Sequence, residues 1–197
     1  MNTANKLTIA RVLMVPLFVL LFYLQFPGHY LLSMLVFIAA SITDAVDGKM
    51  ARKYNLITDF GKFLDPLADK VLVITAMACL LQQRYLNIIP FLLIIAREFM
   101  VDALRLVVAG KGTVVPAGFA GKLKTAFTMV AIIAELLFLT IYWDCCGYLG
   151  IGVGVPEAFW GGIQIFLSVL FWIAAILTVY SGVKYLVAYW KDINPNQ

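Results

Sequence analysis

Apolar residues run along this chain in long stretches separated by short polar breaks. Between residues 12 and 43 there is no Asp, Glu, Lys or Arg, and the one clear interruption is Gln25-Phe26-Pro27-Gly28-His29. Pro-Gly inside an apolar run marks a turn. The pattern therefore predicts one helix over 8–25 and a second over 30–51. Residues 52–60 are polar and lead into a third helix over 61–82, and a fourth covers 86–109. The stretch 110–118, with three glycines and Pro116, reads as a loop or short surface segment. A fifth helix is expected over 121–142. Cys145 and Cys146 fall in the loop after it, and a glycine-rich stretch follows from Gly147. A sixth helix, free of charge from 158 to 183, finishes near Trp190. There is no internal repeat and no low-complexity segment.

Length and composition say what solvent these helices meet. Of the 197 residues, 63% are apolar and 13% charged, and the mean hydropathy is +0.94. A soluble domain averages about 45–50% apolar and about 25% charged. So much apolar surface does not fit inside one soluble core, which excludes a soluble enzyme or a disordered chain. A bilayer-spanning helix needs roughly 20 apolar residues at about 1.5 Å rise each, and six of them use about 120 residues. The expected fold is an all-α polytopic membrane protein, a bundle of six transmembrane helices forming a single domain over 1–197. A cleaved signal peptide is the competing reading of Lys6, Arg11 and the apolar run that follows. No small-residue cleavage site stands near Gln25–His29, so an uncleaved first span is expected.

Lys and Arg are retained on the cytoplasmic side of a membrane. They cluster at Lys6 and Arg11, at Lys49, Arg52, Lys53 and Lys62, at Arg105, Lys111, Lys122 and Lys124, and at Lys184 and Lys191. The three opposite connections hold only Arg84. Both termini and the charged connections are thus expected in the cytoplasm, as in a bacterial inner membrane. The net charge of +4 is spread over these loops without a basic run interleaved with aromatics, so nucleic acid is not an expected partner. The three cysteines make no CxxC pair; Cys79 reads as core packing, and Cys145 and Cys146 receive no role.

Four of the eleven acids fall in one short pattern. Asp44 and Asp47 are three apart at the end of the second helix, and Asp65 and Asp69 are four apart at the start of the third. Each spacing puts its pair on one helical face. A short connection makes the two helices antiparallel neighbours, so the four carboxylates can converge at the cytoplasmic rim. Four unpaired charges in a bilayer would cost on the order of 10 kcal/mol. Lys49, Arg52, Lys62 and Lys70 could offset part of that, and an interhelical salt-bridge network is the alternative without chemistry. Divalent cations offset it better, and an oxygen-only donor set suits Mg²⁺ or Mn²⁺ rather than zinc. Four carboxylates suffice for two ions about 3.5–4 Å apart, the arrangement that clamps a phosphoryl group. Gly48, Ala51 and Gly61 keep the adjoining faces low, and Arg52 can take phosphate oxygens bidentately.

The full pattern, D-x2-D-G-x2-A-R-x8-G-x3-D-x3-D, resembles the signature of the CDP-alcohol phosphotransferase family, with every fixed position filled. That resemblance implies six transmembrane helices, a homodimer, and a cytosol-facing site with two divalent metals. It implies that Asp44, Asp47, Asp65 and Asp69 carry the metals, that Asp69 is also the general base, and that Gly48, Ala51, Arg52 and Gly61 hold the CDP moiety. Asp69 would take the proton of an acceptor hydroxyl as its oxygen approaches phosphorus, and CMP would leave.

Family members differ in their acceptor: serine, inositol phosphate, glycerol 3-phosphate, choline, ethanolamine or phosphatidylglycerol. A phosphorylated acceptor needs further cations. Arg97 and Arg105 lie eight apart on the fourth helix, near one stripe, and Arg97 is deep in an apolar run. An intramembrane ion pair with Glu98 or Asp102 would explain it equally well. Lys122 and Lys124 open the fifth helix, where backbone N–H groups also favour an anion, although positive-inside topology alone could place them there. Three segments around the signature resemble the phosphatidylglycerophosphate synthase branch of the family: Asn5-Lys-Leu-Thr8-Ile-Ala-Arg11, Arg97-Glu98 with Leu104-Arg105, and Gly121-Lys-Leu-Lys-Thr125. This implies transfer of a phosphatidyl group from CDP-diacylglycerol to sn-glycerol 3-phosphate. Asn5, Thr8 and Arg11 would then help hold the nucleotide end. Arg97, Arg105, Lys122 and Lys124 would hold the acceptor phosphate, with Lys184 a weaker candidate. The same chemistry on another acceptor is the alternative within the family. An ion transporter is the alternative outside it, and it would place acids at mid-membrane in both halves of the chain.

Overall fold

The computed structural model describes the backbone of residues 3–53, 59–110, 118–151 and 155–190, and side chains over the same residues except 3–7, 44–53, 59–66, 69 and 120. Every regular element there is helical: α1 (Thr3–Tyr23), α2 (His29–Lys53), α3 (Asp59–Gln82), α4 (Ile88–Gly110), α5 (Phe119–Leu139), a π-helical stretch (Thr140–Tyr148) and α6 (Glu157–Ala188). The six expected helices are all present. Two of the runs, Gly121–Tyr148 and Glu157–Ala188, are long and apolar enough to cross a membrane. At 1.5 Å per residue the 32-residue α6 is about 48 Å long, more than a hydrocarbon core of about 30 Å.

Two compact units share these helices, one made of Met1–Leu80 and Ile132–Trp160, the other of Leu81–Ala131 and Gly161–Gln197. In the first unit α1 and α2 pack as a hairpin around Phe18, Phe22 and Phe37, all essentially buried. Phe18 lies 6.0 Å from Phe37 and Phe22 5.3 Å from Tyr30, centroid to centroid, in tilted and edge-on contacts of the kind aromatic rings prefer. The turn between the helices uses Gly28 at φ +90°, a conformation open to glycine at no steric cost. On α3 the buried positions Ala68, Leu72, Ala76, Met77 and Leu80 recur at helical spacing, with Cys79 buried beside them as core packing.

The expected loop at Cys145-Cys146 is instead helical. Nothing from Thr140 to Cys146 breaks a helix, and the widened turns bury Asp144, whose carboxylate accepts the Leu31 N–H at 2.9 Å. Gly28 begins α2 without a side chain that could cap it. Asp144, 113 residues away, supplies the missing acceptor and places negative charge at the helix N-terminus. The other end corrections are smaller. The first helix stops at Tyr23 rather than 25. The fourth starts at Ile88, where the Asn87 side chain accepts the Ile89 N–H at 2.9 Å.

In the second unit, α4 buries Pro90, Ile94, Arg97, Val101, Leu104 and Val108, an alternation of four and three residues that keeps one stripe inward. The inward stripe of α6 is small and polar where it nears its end: Ala174, Ala175, Thr178, Ser181, Gly182 and Tyr185. Small residues let helices approach closely. Outward positions are the reverse, with Leu106, Phe119, Ile165 and Val187 each more than two-thirds exposed. Arginine inside and leucine outside inverts the ordinary soluble arrangement and suits a chain whose solvent is lipid.

Candidate active site

Four aspartates were expected to form the metal half of the site. Asp44 and Asp47 belong to the C-terminal part of α2, and Asp65 and Asp69 to the N-terminal part of α3, so each pair keeps the helical spacing that shares a face. Their side chains, and those of Asn5, Gly48, Ala51, Arg52 and Gly61, lie outside the described residues. Among the described residues no group of three or more His, Cys, Asp or Glu could hold a metal. Eight carboxylate oxygens on two helical faces remain a donor set suited to hard divalent cations. Of the residues expected at the nucleotide end, Thr8 and Arg11 are described, and both are buried in α1.

The second unit holds the residues expected to bind the acceptor phosphate. Arg97 lies nine residues, about 14 Å along the axis, into α4 and is only 7% exposed. Its Nη2 donates to Ser181 Oγ on α6 at 2.8 Å, and its Nη1 approaches Glu98 Oε1 at 3.4 Å. Glu98 is also paired with Lys124 on α5. The ion pair expected for Arg97 therefore exists, but Glu98 divides itself between two cations. Lys122 points out and is exposed, whereas Lys124 is buried.

Tyr185 on α6 organises this cluster. Its ring carries both guanidinium groups, Arg97 Cζ at 5.7 Å and Arg105 Cζ at 5.4 Å from the centroid. These are cation–π distances. Its hydroxyl oxygen accepts the Gly118 N–H at 2.6 Å and an Arg105 Nη2–H at 3.4 Å. One tyrosine thus ties α4, α6 and the residue that leads into α5. Arg97 Nε and Arg105 Nε are both buried and have no hydrogen-bond partner among the described residues. Two guanidinium groups, stacked on one ring and each keeping an unused N–H beside the start of a helix, have the donors and the charge that an oxyanion would require. Lys184 lies outside this pair; its ammonium stands 5.4 Å over the Tyr180 ring. A groove of about 550 Å³ runs past Gly118, Leu123, Ser181, Lys184 and Tyr185.

A sequence profile of CDP-alcohol phosphatidyltransferases matches residues 1–190. The chain belongs to the CDP-alcohol phosphatidyltransferase family. Full-length relatives agree. A protein of Rickettsia bellii is 41% identical over 193 residues, 95% of this chain and 94% of its own. One of Bacillus subtilis is 38% identical over 204 aligned positions, covering 98% and 97%. One of Salmonella typhimurium is 40% identical over 197, again 98% and 97%. All three are named CDP-diacylglycerol–glycerol-3-phosphate 3-phosphatidyltransferase.

In this CDP-alcohol phosphatidyltransferase the cluster holds Arg97, Arg105 and Lys124, which the sequence singles out, together with Ser181, Tyr185 and the Gly118 N–H, which sequence reasoning passed over. A signal was present: Thr178, Ser181 and Tyr185 recur at three and four residues within an otherwise apolar helix, a polar stripe that must face protein rather than lipid. Glu135, fully buried on α5, is a further acid that the sequence reading gave no role.

Proposed function

We propose that this chain transfers the phosphatidyl group of CDP-diacylglycerol to sn-glycerol 3-phosphate, giving phosphatidylglycerophosphate and CMP. The observation that carries the acceptor is the pair of stacked guanidinium groups with unused Nε–H donors on Tyr185. Two arginines in that state suit the dianion of a phosphorylated acceptor and repel a cationic alcohol such as choline. The names of the full-length relatives support the same acceptor.

In this reading Asp44, Asp47, Asp65 and Asp69 hold two divalent cations, Mg²⁺ or Mn²⁺. When bound, the ions neutralise the diphosphate of the nucleotide-lipid. Asp69 takes the proton of an acceptor hydroxyl while that oxygen bonds to the phosphorus bearing diacylglycerol. The bond from this phosphorus to the CMP oxygen breaks, and CMP leaves with the electron pair. Gly48, Ala51, Arg52 and Gly61, with Asn5, Thr8 and Arg11, hold the CDP end. Arg97, Arg105, Lys122 and Lys124 hold the acceptor phosphate. Positioning and electrostatics supply most of such a barrier reduction.

The lipid donor is consistent with the apolar exterior and the two long apolar runs. We take all six helices as spans, with both termini and the site on the cytoplasmic side of a bacterial inner membrane, and the working unit as a homodimer. The deciding experiment offers purified protein radiolabelled CDP-diacylglycerol with glycerol 3-phosphate, inositol phosphate, serine or phosphatidylglycerol in turn. Product is expected with glycerol 3-phosphate and Mg²⁺ or Mn²⁺. Product with another acceptor only, or equal turnover in chelated buffer, refutes the reading.

A further inference from the structure

Gly182 stands in the last third of α6, well inside the helix, where glycine is less favourable than alanine. Its environment explains what holds it there. A Cβ built at 182 would lie 2.8 Å from Arg97 Cγ and 3.1 Å from Met100 Cε. The Arg97 stem therefore lies directly on the α6 backbone, and no side chain larger than hydrogen fits beneath it. The preceding residue, Ser181, takes the Arg97 Nη2–H at 2.8 Å, and the ring of Tyr185, one turn on, carries the guanidinium. Gly161 and Gly162, on the same helix, have nothing within 4 Å of a built Cβ.

We infer that the Ser181-Gly182 step of α6 is a positioning element for the acceptor phosphate: Gly182 sets how deep the Arg97 stem lies, and Ser181 fixes which way its guanidinium faces. The inference rests on Arg97 holding the acceptor phosphate. A guanidinium pivoting on a displaced Cγ moves its far nitrogens by more than the displacement itself. A shift of a few tenths of an ångström at Cγ thus takes its donors out of line with Arg105. Bidentate recognition is sensitive to that alignment. Close helix packing alone would also require a glycine here. The two roles differ in what they predict for binding.

The test compares wild type with Gly182→Ala, Ser181→Ala and, as a control on the same helix, Gly162→Ala. Thermal unfolding in detergent, KM for each substrate, kcat, and direct binding of inorganic phosphate are measured. Gly182→Ala is expected to raise the KM for glycerol 3-phosphate and the Kd for inorganic phosphate together, by about tenfold. KM for CDP-diacylglycerol should stay within twofold. Ser181→Ala, which removes one atom and adds none, should raise the same two constants about threefold. Gly162→Ala should change nothing. Should Gly182→Ala fail to fold, Met100→Ala/Gly182→Ala removes the methyl contact and leaves the Arg97 contact, so it keeps the defect in phosphate binding. Unchanged phosphate affinity in Ser181→Ala, or a proportional loss in every parameter of Gly182→Ala, overturns the inference. Wild type that binds phosphate but makes no lipid product from glycerol 3-phosphate refutes the proposed reaction and leaves the positioning claim to be read from phosphate binding alone.

Discussion

Replacing Arg97 by methionine separates the two explanations for a cation inside an apolar helix. Methionine matches the arginine stem as far as Nε and carries no charge. It removes the donors to Ser181 and Glu98 and the stacking on Tyr185. Little that matters for folding is orphaned. Glu98 keeps Lys124, and the Ser181 hydroxyl can turn to a carbonyl of its own helix, as Thr178 does toward Ala174 at 2.6 Å. The desolvation of a buried guanidinium disappears as well, and such ion-to-apolar replacements are often neutral or stabilising. Thermal stability should therefore hold or rise. Acceptor binding should collapse: a charge-assisted hydrogen bond contributes about 1.5–3 kcal/mol, and the loss of about 3 kcal/mol is roughly a hundredfold in affinity. The assay is KM for glycerol 3-phosphate beside a melting curve in the same detergent. A variant that unfolds several degrees early while keeping its acceptor KM would show that Arg97 is a structural ion pair and would refute the acceptor assignment.

Three other outcomes follow from the same structure. Asp69→Asn keeps the side-chain shape but cannot accept a proton, so kcat should fall by about 10²–10⁴ with the protein still folded, as judged by turnover and melting together. Tyr185→Phe keeps the ring under both arginines and loses the acceptor for Gly118 N–H and Arg105, so KM for glycerol 3-phosphate should rise only severalfold, whereas Tyr185→Leu, which also removes the ring, should raise it at least tenfold. Asp144→Ala strips the distant cap from α2; about 1 kcal/mol of stability and roughly 2–4 °C in Tm should go, with KM values unchanged, and unaltered melting would refute the capping role.

What the sequence made legible depended on how local the cause was. Helices show because a charge-free run must be helical in lipid, whatever it packs against. Arg97 shows for a related reason: an arginine amid Leu, Ile and Ala is costly enough to demand an explanation. The π-helical turns after Leu139 do not show, because Asp144 is drawn inward by a backbone N–H that is 113 residues away. Tyr185 is hidden in the same way. Its partners stand 67 and 80 residues upstream, and a tyrosine near a helix end is otherwise read as an interfacial anchor. Gly182 carries no signal at all until the Arg97 stem is seen lying on it. The four aspartates of the signature are the reverse case, with a pattern complete in sequence and side chains beyond what is described.

Charge is divided between the two units in a way that bears on the chemistry. The unit containing α1, α2 and α3 carries eight Asp and Glu against seven Lys and Arg, and five of those acids fall within 26 residues. The unit containing α4 and most of α6 carries eight Lys and Arg against three Asp and Glu. Cations are thus spread over both units alike, as a positive-inside bias expects, and that bias leaves the uneven placing of the acids unaccounted for. The acids are what differ, and they set two separate deficits: convergence of the four aspartates would leave negative charge to be balanced in one unit, and the other is short of it where Arg97 and Arg105 stack. In a medium of low dielectric neither deficit can be left to bulk water. In the proposed reading divalent cations correct the first and a phosphate dianion the second. The reaction joining a phosphorylated alcohol to a nucleotide-lipid diphosphate is one whose participants supply both.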